Sequence, residues 1–233
     1  MKSHGILMTP DLIWATLAGI KTETRRIPTP RNCLFDGGTW PKELVKEGKW
    51  KMELDWASGE IDICGGKQYL FVQHPRGNNV IHRIYPRIQP GDEVWIKEAY
   101  CAFDWTDGGE EVKKRYVYRA DGEDIVQLDG DGNYEENKDG SLKSPWRSPM
   151  FMPRSAARIV RHVESVGFEY LHDITEGGAE SEGFKWRMVR SENFTYSPHH
   201  VSAKDAFMDT WLKIHGNTDN LIVLVYKFGK ENV

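Results

Sequence analysis

Gly19-Ile20-Lys21-Thr22-Glu23-Thr24-Arg25-Arg26 sets three cations and two hydroxyls within six residues, just past the end of a helix-like segment running from Pro10 to Ala18. Gly19 is suited to end that helix in a left-handed conformation. Pro28 and Pro30 close the charged run on its other side. Such a cluster is poor core material, because each buried charge needs a partner. It suits a place where the chain grips something anionic or polar.

Working outward, Ile6-Leu7-Met8 reads as a short strand. Thr9-Pro10-Asp11 is a helix start, with Thr9 as cap and Pro10 at the first helical position. Lys21 to Ile27 leaves the helix as extended chain. Residues 28–90 are rich in turns and aromatics (Trp40, Trp50, Trp56, Tyr69, Phe71, Tyr85). With Trp50–Trp56, Glu60–Ile63 and Gln68–Gln73 punctuated by Ala57-Ser58-Gly59 and Gly65-Gly66, they predict a β-meander. Pro90-Gly91-Asp92 turns into the alternating strand Glu93–Glu98, and Arg115–Arg119 is another strand. Ala157–Leu171 alternates at length, with a turn expected near Gly167. Asp173-Ile174-Thr175-Glu176 resembles a capping box opening a short helix. Ser202 opens another that Gly216 can end, and Leu221–Phe228 is an apolar run expected to be a central strand. The sum is an α+β domain over 1–233: a partly open antiparallel β-barrel with a few short helices at its mouth. An aromatic insert at 32–87 and an acidic loop at 121–143 interrupt it.

The 233 residues are 39% hydrophobic and 28% charged. No apolar run approaches the roughly 20 residues of a membrane span, and no signal-peptide core follows Met1, so no membrane partner is expected and the cytoplasm is the expected compartment. Cys33, Cys64 and Cys101 are scattered and odd in number, which argues against a disulfide framework or zinc finger. Asp129–Asn133 imitates a calcium loop, but Tyr134 stands where the sharp turn needs Gly and Gly140 where a bidentate Glu is required. His199-His200 lacks further ligands at useful spacing, so no metal and no cofactor is expected. Asn193-Phe194-Thr195 matches a glycosylation sequon that has no use in that compartment.

The net charge of -4 argues against a sequence-blind DNA coater, but the distribution is uneven. Asp104–Asp139 holds twelve acids and five bases, whereas Lys143–Arg161 holds five bases and no acid. Lys21–Arg31 carries four bases and one acid. Two basic segments far apart in sequence are thus candidates for one positive face.

Four blocks, in order, carry a resemblance to a known family: Leu17–Arg26, Pro90–Glu98, Phe151–Ile159 and Asp173–Phe184. They resemble the ASCH domain, a relative of the PUA RNA-binding fold, in its bacteriophage and prophage form. The likeness runs from residue 6 to about residue 228 and leaves out 32–87 and 121–143. Two positions depart from the phage pattern: Ser155 stands where Trp is usual, and Thr218–Val223 replaces a Trp- and Pro-rich ending.

The resemblance implies a PUA-like barrel whose cleft, lined by the Lys-Thr-Arg segment, binds RNA or a modified nucleoside. Small ASCH proteins that hydrolyse 4-acetylcytidine use a Lys, a Thr and a Glu, which correspond by motif to Lys21, Thr24 and Glu182, with Glu180 a neighbouring candidate. Arg25, Arg26, Glu98, Arg154 and Arg158 are the substrate-binding candidates. The implied activities are hydrolysis of an acyl-amide, non-catalytic reading of modified bases or single strands, and metal-independent ribonuclease action. A host protein is a further candidate partner, through the 32–87 insert.

Physically, a Thr hydroxyl needs a base to take its proton. Lys21 can be that base only with a lowered pKa, which burial and the adjacent arginines favour and a close Glu opposes. Lys21 and Thr24 do not share a face of a straight strand, so a turn or bulge after Gly19 is required to join them.

Overall fold

The apolar run near the C-terminus organises the larger part of the molecule. A computed structural model describes residues 1–29, 31–36, 60–64, 67–73, 81–105, 113–122, 135, 137–138, 144–185, 187–189, 199–216, 218 and 221–229. In chain order the elements are β1 Ser3–Leu7, α1 Pro10–Leu17, β2 Glu23–Arg26, β3 Cys33–Phe35, β4 Glu60–Cys64, β5 Lys67–Gln73, β6 Ile81–Pro86 and β7 Glu93–Lys97. There follow β8 Tyr100–Trp105, β9 Lys113–Tyr118, β10 Val160–Tyr170, α2 Glu176–Ser181, β11 Arg187–Val189, β12 His199–Val201, α3 Ala203–His215 and β13 Ile222–Phe228. Strands predominate over these three α-helices, giving a mixed α and β protein. Among the described residues no sheet closes on itself, and no helix is long and apolar enough to cross a membrane. The readings at Trp40, Trp50 and Trp56, at Asp129–Asn133 and at Asn193, with most of the 121–143 loop, fall outside the described residues.

The chain falls into two compact units. One comprises Met1–Lys2, Ala18–Glu93 and Arg161–Val233; the other comprises Ser3–Leu17 and Val94–Val160.

In the first unit, β13 lies between β10 and β2 and runs antiparallel to both. Residues 222–226 are buried without alternation, as a strand covered on both faces requires. The turn expected at Gly167 does not form. Gly167 pairs with Val225 in mid-strand, and the irregularity falls between Val163 and Ser165 as a bulge. The unbroken partner strand offers ladder bonds on both sides of the glycine, which outweigh its weak strand preference. The described strands of the 32–87 insert form a four-stranded antiparallel sheet of order β3-β6-β5-β4: the expected neighbours β4 and β5 pair, and β6 and β3 extend them, while the expected strand at 50–56 lies outside the described residues. His199-His200 lies on β12, paired with Val189 and Met188 of β11.

Helices α2 and α3 pack Ala179, Ala203, Phe207 and Trp211 against Val223 and Val225. Ser202 caps α3 by accepting from Asp205 N–H at 3.0 Å, and Gly216 ends it at φ +72°. The cap of α2 is Thr175, not Asp173: its hydroxyl accepts from Gly178 N–H at 3.0 Å. Glu176, which a capping box would turn back on its own helix, accepts instead from the Ala203 and Lys204 amides at the start of α3.

In the second unit, β1 lies beside β7. Thr9 C=O accepts the first bond of α1, from Ile13 at 3.0 Å. The β8–β9 hairpin runs from Tyr100↔Tyr118 to Trp105↔Lys113. Trp95, Tyr100, Met152 and Ala156 form the apolar core here.

Candidate functional site

Gly19, at φ +69°, ends α1's turn and releases the chain toward β2. Between them Thr22 is stitched at both backbone groups: its N–H donates to Ser181 C=O at 2.8 Å, and its C=O accepts from Phe228 N–H at 2.8 Å. The first bond sets the residue before β2 against the last turn of α2. Lys21 and Glu182, 161 positions apart, meet there. The Lys21 ammonium pairs with Glu182 Oε2 and donates to Glu182 C=O at 3.0 Å and Glu23 C=O at 2.7 Å. Lys21 is 1% exposed and Glu182 4%.

Arg25 completes the cluster. Its Nε donates to Glu169 at 2.5 Å, Nη2 to Glu23 at 3.0 Å, and Nη1 to the Gly178 carbonyl at 3.3 Å and Glu182 Oε1 at 3.4 Å. Lys227 Nζ reaches Glu23 at 2.9 Å. Lys21, Arg25 and Lys227 therefore face Glu23, Glu169 and Glu182, a balanced set of six charges. Two of the three cations that suggested an anion grip, Lys21 and Arg25, are met by carboxylates of the chain itself. Gly178 is what allows this close approach: a Cβ there would stand 3.1 Å from Arg25 Nη2.

Burial pushes the Lys21 pKa below the ordinary lysine value; Glu182 opposes this, and Arg26 and Arg25 add to it. For Arg25 burial acts downward too, but the Glu169 hydrogen bond and the surrounding carboxylates outweigh it and the pKa is raised. Arg26, half-buried, is lowered by burial, with Glu182 and Tyr226 acting against that. Three acceptors surround the Lys21 amine, matching the three protons of an ammonium.

Thr24 is 3% exposed, but β2 alternates. Glu23 and Arg25 share the face of the charge cluster. Thr24 points to the opposite face with Tyr226, its register partner on β13. None of the three hydrogen bonds of Lys21 goes to Thr24. The turn after Gly19 brings Lys21 to Glu182, while the regular strand keeps Thr24 from them. Glu180, the neighbouring acid, is exposed. Tyr226, 1% exposed, has no hydrogen-bond partner for its hydroxyl.

The remaining candidates lie in the other unit. Glu98 is fully buried and takes a two-pronged bond from Arg158, Nε to Oε1 at 2.9 Å and Nη2 to Oε2 at 2.8 Å. Arg158 also reaches Asp121 at 2.8 Å and covers the Tyr118 ring at 4.1 Å. Burial lowers the Arg158 pKa, but its bonds to Glu98 and Asp121 prevail and raise it. Arg154 is exposed. Among the described residues no three His, Cys, Asp or Glu side chains gather to hold a metal ion.

Sequence reasoning passed over Glu23, Glu169 and Lys227. Glu23 carried a signal, since residues two apart on a strand share a face. Glu169 and Lys227 carried none, because only the β10–β13–β2 pairing brings Glu169 to Arg25 and Lys227 to Glu23. Comparisons of the chain with protein-family models, with curated proteins and with solved structures returned no match.

Proposed function

We propose that this is an ASCH protein of the phage and prophage type, with a PUA-like partly open barrel, that takes RNA or a modified nucleoside beside Lys21 and hydrolyses an acyl-amide such as that of 4-acetylcytidine. The observation that supports this reading is the buried Lys21–Glu182 pair. A lysine and a glutamate from distant blocks converge in a setting that lowers the lysine pKa. Perturbed, partnered and buried titratable groups are what acid–base chemistry uses.

Amide hydrolysis needs a nucleophile at the acetyl carbonyl and a proton for the departing amine. In this reading, transfer of the Lys21 proton to Glu182 frees the amine as base, and the proton held on the pair returns to the leaving nitrogen. A water supplies the attacking oxygen and departs in the acetate, or Thr24 supplies it and forms an acetyl ester that a water then hydrolyses, releasing acetate and restoring the hydroxyl. Thr24 reaches the amine only after β2 shifts locally, because the two stand on different faces.

Incubation with 4-acetylcytidine, followed by chromatography, is expected to release cytidine and acetate. Lys21→Met is expected to lower the rate roughly 100-fold or more, the scale of losing a general acid–base group. Thr24→Ala separates the two nucleophiles: full activity assigns the attack to water. Absence of cytidine with folded wild-type protein would sink the hydrolytic reading.

A second reading, recognition without turnover, is favoured by the three acceptors that already fill the Lys21 ammonium. It predicts saturable, salt-sensitive binding of nucleoside or RNA and no product.

A further inference from the structure

Among the described residues of the second unit, the most exposed apolar groups stand side by side. Phe151 is 75% and Met150 63% exposed, on the 3-10 turn Pro149–Phe151, while the next residue, Met152, is 3% exposed and anchored in the core. The turn is held from several directions. Ser148 Oγ accepts from Met150 N–H at 3.4 Å, Tyr100 Oη donates to Phe151 C=O at 3.2 Å, and Lys97 Nζ donates to Met150 C=O at 3.2 Å. Arg147 is pinned beside it by a two-way backbone bridge to Tyr100, at 2.8 and 3.4 Å. The exposed ring is thus set on a fixed support, so ordering it on binding costs little.

Among the described residues, the charged side chains that flank the turn in sequence are basic. Arg147 and Arg154 are exposed on either side of the turn, and Lys97 is tied to its backbone. The sequence has no acid between Lys143 and Arg161. Glu98 is buried and bound by Arg158, which also holds Asp121. An aromatic face on a fixed backbone, flanked by cations, matches single-stranded nucleic acid, whose bases stack while its phosphates seek arginine.

We propose that the Pro149–Phe151 turn is a docking platform for single-stranded nucleic acid, with Phe151 as the base-stacking face and Arg147 and Arg154 as phosphate contacts. It rests on the nucleic-acid half of the reading above, and it adds a surface separate from the Lys21 cluster that accepts a strand rather than a lone nucleoside.

Fluorescence anisotropy of the full chain with a labelled single-stranded RNA of roughly 12 nucleotides, a length suited to one binding module, tests it. Phe151→Ala is expected to weaken binding roughly 10-fold or more, as loss of one stacking contact does. Arg147→Ala and Arg154→Ala are each expected to reduce the slope of log affinity against log salt by about 0.7. Circular dichroism checks that each variant is folded. No strand binding by the wild type at low salt overturns the proposal. So does binding that all three substitutions leave unchanged, or capture by phosphatidylserine vesicles in place of the strand. The two readings fail separately: strand binding without release of cytidine sinks only the hydrolase, and release of cytidine without strand binding sinks only the platform.

Discussion

At the residue scale, the Lys21–Glu182 pair is costly to break from one side. Removing one partner of a buried ion pair leaves an uncompensated charge and costs about 3–5 kcal/mol. Glu182→Gln is expected to destabilise by that order, because Lys21 then keeps no carboxylate. Lys21→Met is expected to cost less, because Arg25 still faces Glu182 at 3.4 Å. Urea unfolding of both variants checks the ranking. A second residue-scale expectation concerns Cys33, fully buried, whose thiol burial pushes up from its ordinary value of 9.0 to about 12. Since the unfolded thiol ionises first, stability is full below pH 9 and falls as pH rises toward 12, by about 1.4 kcal/mol per pH unit. Lys21, held below its ordinary value, acts with the opposite sign on the alkaline side. The comparison of wild type with Cys33→Ala therefore isolates the thiol: the variant should show a shallower alkaline decline in urea midpoint.

At the element scale, α2 is only six residues long and depends on its ends. Thr175 caps it, and Glu182 at its far end carries the ion pair. Thr175→Ala is expected to cost about 1 kcal/mol, as cap removal does, and to loosen the position of Glu182. A lowered thermal midpoint together with faster exchange of the Ser181–Gly183 amides would bear this out; an unchanged midpoint would count against it. The elements themselves were largely legible. Pro10, Gly19 and Gly216 mark helix ends through their own backbone and Ser202 through a hydroxyl that reaches an amide three residues on, and β13 announced itself by an unbroken apolar run. The failures came where a distant partner overrode local preference. Gly167 stayed inside β10 because β13 supplies ladder bonds on both sides. Thr175 replaced Asp173 as cap, while Glu176 was drawn to the start of α3.

At the scale of the whole molecule, protection from hydrogen exchange should follow burial within each unit. Val223 and Leu224 at the centre of β13 are fully buried and flanked by β10 and β2, so their amides are expected to exchange among the slowest. Mass-spectrometric exchange that found the β8–β9 hairpin slower than β13 would overturn this. By itself the sequence determined the ends of α1 and α3, the central strand, the predominance of strands, and which charged segments were unusual, since these follow from local conformational preference and hydrophobic period. Tertiary structure alone decided what those charges do. Glu169, Glu182 and Lys227 reach the Lys21–Arg26 segment through strand pairing and helix packing across more than a hundred residues. The same pairing, with its side chains alternating, sends Thr24 to the face away from Lys21.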